Sequence, residues 1–197
     1  MFNRDLIQQA PKLRQHIAAR EFKETDEGIL FPGDACVSGE YHYISSDGTE
    51  RIAPNKITIE GFNYLLNVGL KNASQQPNWY LALFSGGFTP TDVLTAATFP
   101  ASASEIVSGS EGYSESTRQA WTPGTVASGQ VDNNASKASF SIVTASSLTI
   151  RGAALLSESI KGSTSGVIMS CARFGADEIK NNGSTFQLGY RVKLRAV

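Results

Sequence analysis

From Phe186 to Arg195 apolar and polar side chains alternate without a break. Phe186, Leu188, Tyr190, Val192 and Leu194 take every second position, and Gln187, Gly189, Arg191, Lys193 and Arg195 fill the gaps. Extended backbone sends successive side chains to opposite faces, so the run predicts a strand over 186–195 with one oily and one wet face. A helix would spread the same residues around its circumference. Other runs read as partners for this strand: 137–143 around Ala138-Ser139-Phe140-Ser141-Ile142, 148–156 from Leu148 to Leu156, and 167–174 from Val167 to Phe174. Polar turns at Ala145–Ser147, Lys161–Gly166 and Asn181–Ser184 separate them.

The first half is organised differently. Val37–Ile44 and Thr49–Ala53 flank Ser46-Asp47-Gly48, which predicts a hairpin over 37–53. Trp79–Phe84 is a compact strand, apolar on both faces, and Tyr113–Trp121 is a further strand candidate, closed by a turn at Thr122-Pro123-Gly124. Between them residues 88–112 form a long Thr-, Ser-, Ala- and Pro-rich connection, with a helical turn suggested at Asp92-Val93-Leu94. A connection of that length carries a function or is anchored on something.

Two stretches carry helical spacing. Phe62, Leu65, Leu66 and Leu70, with Val68 beside them, predict a helix over 59–71, opened by Thr58 as its N-cap and ended by Asn72–Pro77. It is so apolar for its length that a sheet or a neighbouring subunit must cover it. Near the N-terminus Leu6, Ala10, Leu13 and Ile17 recur at helical spacing, interrupted by Pro11, among Arg4, Lys12, Arg14, Arg20 and Lys23. This arm has a thin apolar stripe and buries little by itself. It reads either as a terminal helix on its own domain or as a partner-docking arm, with Leu6, Leu13, Arg14 and Ile17 as contact residues. Residues 24–35, with Glu24, Asp26, Glu27, Pro32, Gly33 and Asp34, read as a linker. The expected organisation is an N-terminal arm and linker over 1–35 and one domain over 36–197. The fold class is mainly β: an antiparallel β-sandwich or jelly-roll-like domain with one short apolar helix and an N-terminal helical arm.

Composition agrees with short strands and hydroxyl-rich turns. Hydrophobic residues make up 41% of the chain, charged ones 18%, and the formal net charge is −1. Such a balance supplies a core but no field to draw in nucleic acid, so none is expected as a partner. Membrane partners are not expected either, because no apolar run approaches the ~18 residues a span requires. Met1-Phe2-Asn3-Arg4-Asp5 lacks the apolar core of a signal peptide, so synthesis in the cytoplasm is expected.

Candidate chemistry is sparse. Cys36 and Cys171 are too few and too far apart for a disulfide framework or a zinc site, and read as small core or strand residues. His42 reads as a strand side chain on a half-exposed face. No phosphate-cradling glycine loop and no nucleophile elbow is present. Asp26-Glu27 and Asp177-Glu178 sit in turn-like contexts and read as solvated loop charge. Arg191, Lys193 and Arg195 read as a charged strand face kept soluble rather than a polyanion site. Arg118 with Trp121, and Arg173 with Phe174, read as surface stems over rings. No enzyme activity, cofactor or metal is expected.

From about Asn55 onward the order of segments resembles a family. The segments are Glu60-Gly61-Phe62-Asn63-Tyr64-Leu65-Leu66-Asn67-Val68, Asn78–Phe84, Tyr113–Trp121, Asn134–Phe140, and Gly152–Ser157 with Lys161-Gly162. Together they look like a widespread family of small virion structural proteins of tailed bacteriophages. The resemblance covers roughly residues 40–197 and leaves the arm outside. It implies a homo-oligomeric particle component, located in the virion, with other virion proteins as partners: portal, adaptor, tail or capsid subunits. It implies no catalytic residues. A tail or head–tail role as appendage, adaptor or fibre-anchoring subunit is the first expectation, and a capsid decoration or cement protein the alternative. A third reading is a carbohydrate-binding β-sandwich module, in which Trp79, Tyr80, Tyr113 and Trp121 offer rings; Tyr113 and Trp121 are its candidate ligand-facing aromatics.

Overall fold

The computed structural model describes residues 23–25, 28–30 and 35–196, with side chains from Val37 to Arg195. Two compact units divide the chain: Met1–Val37 with Leu194–Val197, and Ser38–Lys193. The expected arm helix, with Leu6, Leu13, Arg14 and Ile17, and the Asp26-Glu27 pair lie outside the described residues. In the first unit, β1 (Lys23–Thr25) and β2 (Gly28–Leu30) pair antiparallel, Glu24 opposite Ile29. Part of the expected linker is therefore strand. Everything below concerns the second unit.

Its elements run in chain order. They begin with β3 (Ala35–Ile44), β4 (Glu50–Pro54), β5 (Lys56–Ile57), the helix α1 (Ile59–Leu70) and β6 (Trp79–Phe84). A short helix α2 (Phe99–Ala103), β7 (Gly112–Tyr113), β8 (Gln119–Trp121) and β9 (Gln130–Asp132) follow. After a 3-10 turn at Asn134–Ser136 come β10 (Ala138–Val143), β11 (Ser147–Leu156), β12 (Ile168–Asn181) and β13 (Thr185–Ala196). One sheet of six strands has the order β4-β3-β13-β10-β7, with β9 also on β13; a second of five has the order β5-β12-β11-β6-β8. The fold is mainly β, with two antiparallel main sheets.

β13 is the centre of the six-stranded sheet, as its alternation requires. Phe186, Leu188 and Tyr190 are fully buried. β10 and β9 lie along one edge of β13, Phe140 opposite Phe186 and Asp132 opposite Arg191, and the 3-10 turn joins them. Gly189 leaves room for that turn, since a Cβ there would run into the Asn134 side chain. The oily faces of the two sheets meet through aromatic rings. Tyr43 stacks on Phe174 at 4.1 Å between centroids, and Phe174 lies 6.0 Å from Phe186. The Tyr41 hydroxyl donates to the Ser170 carbonyl (3.2 Å) and shares a 2.9 Å hydrogen bond with its Oγ, which satisfies a phenol enclosed in the core.

The five-stranded sheet is covered on both faces, which is why Leu81–Phe84 and Ala153–Leu156 are continuously apolar. Its second face holds Ala82, Phe84, Ala154, Leu156 and Ile168 against Leu94, Ala96, Phe99 and Ala103 of the long connection. Phe84 meets Phe99 edge-on at 6.3 Å. The 88–112 segment is thus a core layer, and its helix falls at Phe99–Ala103 rather than at Asp92-Val93-Leu94. Gly152 lets this packing occur: a Cβ there would collide with the Phe84 ring and the Ala172 carbonyl.

Three expectations fail here. Tyr113–Trp121 is not one strand: β7 belongs to the six-stranded sheet and β8 to the five-stranded one, with a buried arginine between them. The strand expected to end at Phe174 runs on to Asn181, so Asp177-Glu178 is strand, not loop. Glu178 is buried and accepts from Ser46 N (2.8 Å) and Ser46 Oγ (3.0 Å). β9 carries no signal in the sequence, since three residues after a glycine-rich turn hold too little alternation.

Candidate interaction surface

Helix α1 is fastened at one end. Thr58 Oγ1 accepts from Gly61 N (2.9 Å) and donates to Ile168 O (2.6 Å), and Thr58 N donates to Met169 O (3.1 Å). Glu60 Oε2 accepts from Ala96 N (2.9 Å) and Ile168 N (2.8 Å), so one carboxylate tethers helix, long connection and β12 together. Gly61 allows the approach, because a Cβ there would lie 2.9 Å from Met169 Cα. N-cap, acidic first turn and glycine form one anchor.

Beyond this anchor the helix leaves the sheets. Gly61 is its only buried residue, while Tyr64 and Val68 are half-buried. Beneath them opens an apolar groove of about 450 Å³, lined by Tyr64, Leu65 and Val68 of the helix, Trp79 and Trp121 of the five-stranded sheet, and Val131 and Val192 of the six-stranded one. Tyr64 stands edge-on to Trp79 at 5.1 Å, and its hydroxyl accepts from Gln76 N (2.8 Å). Trp121 Nε1 donates to Tyr190 O (3.0 Å), so the indole bridges the two sheets at the groove's mouth.

The outer side of the helix is also apolar. Ile59, Phe62, Leu66 and Leu70 are exposed, Leu66 to 54% and Leu70 to 79%, and Val93 extends the patch beside Ile59. The expectation that sheet or subunit must cover this helix is met by the sheets at its first turn and in part at Tyr64 and Val68, and not on the outer side.

The groups that looked capable of chemistry are bound up structurally. Arg118, expected at the surface, is buried: its Nε and Nη2 donate to Glu105 Oε1 (2.7 Å) and Oε2 (2.8 Å), and Nη1 donates to Glu158 O (2.9 Å). Arg173 reaches toward Asp177 and the Phe88 carbonyl instead of covering Phe174, which stacks on Tyr43. His42 is buried rather than half-exposed, with Nε2 3.0 Å from Glu40 Oε1 and Nδ1 3.7 Å from Glu50 Oε1. Arg191 bridges Asp132 (2.8 Å) and Glu40 (3.0 Å), and Lys193 donates to Glu40 (2.9 Å), so these two cations are neutralised within the wet face. Burial works to raise the Glu40 carboxyl, but hydrogen bonds from Lys193 and His42 outweigh it and hold its pKa below the ordinary value. Cys171 is buried in β12, where loss of solvation pushes its thiol pKa well up; Cys36 lies in β3.

Of the two aromatics expected to face a ligand, Tyr113 is wholly enclosed, edge-on to Phe140 at 5.0 Å, with Lys161 Nζ over its ring at 3.5 Å. Trp121 does line the groove, and Trp79, which also offered its ring in the carbohydrate-binding reading, joins it from β6. Leu65 and Val68 belong to the helix stripe that sequence singled out; Val131 and Val192 reach the groove only through the pairing of β9 with β13.

No known protein family matches the chain, and no curated protein matches it.

Proposed function

We propose that this chain is a non-enzymatic structural subunit of a tailed-bacteriophage particle. It assembles with other particle proteins in the tail or head–tail region, as an appendage, adaptor or fibre-anchoring subunit. One observation carries the reading: a helix tethered through Thr58, Glu60 and Gly61 holds Ile59, Phe62, Leu66 and Leu70 in solvent beside an aromatic groove. A contiguous apolar surface of that kind on an otherwise well-packed domain belongs at a protein interface. The two facing antiparallel sheets are read as a β-sandwich, jelly-roll-like in class, a rigid block suited to repeated packing. The segment order from Asn55 onward supports the particle assignment.

Copy number per particle tests the placement. About six to eighteen copies, as closed rings of subunits demand, fit the tail; hundreds fit capsid decoration, the alternative placement. Absence of the chain from purified particles would refute both. The groove also gives a glycan-binding reading one observation, since Trp79 and Trp121 both line it. The polar atoms of its rings are already engaged, Trp121 Nε1 with Tyr190 and the Tyr64 hydroxyl with Gln76 N, and the lining is otherwise apolar apart from Gln75 and Gln76, which favours an apolar occupant. A silent glycan array, with unchanged cell adsorption in a folded Trp121→Ala protein, would discard the glycan reading.

A further inference from the structure

We infer that the outer face of α1 is a self-association surface whose occupant is the same helix of a second copy. The inference rests on the structural-subunit reading and names the partner of its exposed helix. With 3.6 residues per turn, Ile59, Phe62, Leu66 and Leu70 fall within about 80° of one another, and their centre lies about 140° around the helix from Gly61. The spacing 59, 62, 66, 70 is that of a helix-pairing seam, three and then four residues apart. Gly69 borders the seam, and a Cβ added there would meet nothing within 4 Å, which leaves space for a close neighbour.

Charge and area favour an identical partner. The seam carries no charge. Glu60 is tied to Ala96 and Ile168, and the residues flanking the outer face, Asn63 and Asn67, are neutral. The exposed charges at its two ends, Asp92 beside Val93 and Lys71 after Leu70, are opposite in sign, so an antiparallel pairing sets unlike charges together, and an isologous contact needs only self-complementarity. Ile59, Phe62, Leu66, Leu70 and Val93, each about two-fifths to four-fifths exposed, sum to roughly 500 Å². Two such patches bury ~1,000 Å² in all, about the least that a specific interface buries. Antiparallel crossing near Leu66 sets Phe62 of each copy toward Leu70 of the other and opposes the helix dipoles favourably.

The test is solution mass of the full chain by sedimentation at about 100 µM, where an interface of this size is occupied. The wild type is expected at twice the 21.1 kDa of one chain. Leu66→Glu with Leu70→Glu is expected to weaken association at least ~100-fold by setting like charges face to face, with the circular dichroism spectrum unchanged. Ile179→Glu, at an equally exposed apolar side chain toward the opposite end of β12 from the helix anchor, should retain the dimer. If the double variant fails to fold, Leu66→Cys in a Cys36→Ala background replaces it, and a short bis-maleimide should link two copies through that position. A monomeric wild type, a double variant that keeps its partner, or no cross-link at Leu66 overturns the inference. A monomer that still incorporates into particles refutes the self-pairing alone; a dimer never found in particles refutes the particle role alone.

Discussion

Replacing Arg118 by alanine removes the cation from a bidentate pair whose two side chains have no solvent exposure. The Glu105 carboxylate would then be left with Gly162 N (3.1 Å) as its remaining donor among the described contacts. An unpaired charge enclosed in that way costs about 3–5 kcal/mol. The guanidinium also holds Glu158 O (2.9 Å) and Ser163 O (3.2 Å), so the 157–167 connection loses its tether at the same time. Against a total stability of about 5–15 kcal/mol, this is about a fifth of the margin at the least and all of it at the most. For a chain of this size each kcal/mol shifts Tm by about 2–4 °C, so a drop on the order of 10 °C is expected. Chemical denaturation of wild type and Arg118→Ala supplies the free energy, and proteolysis within 157–167 reports the loosened loop. Arg118→Met with Glu105→Leu should recover part of the loss, because no charge is then left enclosed and unpaired, while Glu158 O, Ser163 O and Gly162 N still lose their partners. A loss below about 1 kcal/mol in Arg118→Ala would refute the reasoning: the pair would then be hydrated rather than enclosed.

Three further outcomes follow from the packing and charge. Gly152→Val should destabilise by about 2 kcal/mol or more, since Phe84 and the Ala172 carbonyl already fill the space; a thermal melt matching wild type would show that the two strands separate freely there. Glu40 and Asp132 have pKa values held below their ordinary 4.5 and 3.8. For Asp132, burial opposes the shift, and the hydrogen bonds from Arg191 and Asn134 N, with the Arg191 charge, together outweigh it. A carboxyl lowered in the fold adds stability that is fully present above its ordinary value and is lost as pH falls through the lowered one. Tm should therefore fall from about pH 4 downward, and more shallowly in Arg191→Met; parallel acid limbs for the two proteins would count against it. Deleting residues 1–23 should leave a folded soluble domain that assembles less well, and normal incorporation of the truncated chain into particles would end the docking role proposed for the arm.

Legibility in the sequence followed the range of the interaction. β6 and β11 were visible as short runs apolar on both faces between turns, and β10 and β13 because their alternation is set by neighbours two residues away. Helix α1 was visible with its Thr58 cap for the same reason, at a period of three to four. β7 and β8 merged into one expected strand because nothing local says that the chain changes sheets between Tyr113 and Gln119. Arg118, His42 and Glu178 were expected at least partly in water because charged and polar side chains are mostly exposed. Their partners come from elsewhere in the chain or from a neighbouring pleat: Glu105, Glu40 with Glu50, and Ser46.

By itself, then, the order of residues determined which stretches extend, which one coils, and that the second half is built of oily pleats. Those are outcomes of backbone geometry and side-chain alternation over a few residues. Which charges could be enclosed, and which face of α1 stayed uncovered, was decided only when strands far apart in sequence met. Burial of a charge depends on finding its counter-charge in space, and exposure of an apolar face depends on where the anchoring strand ends.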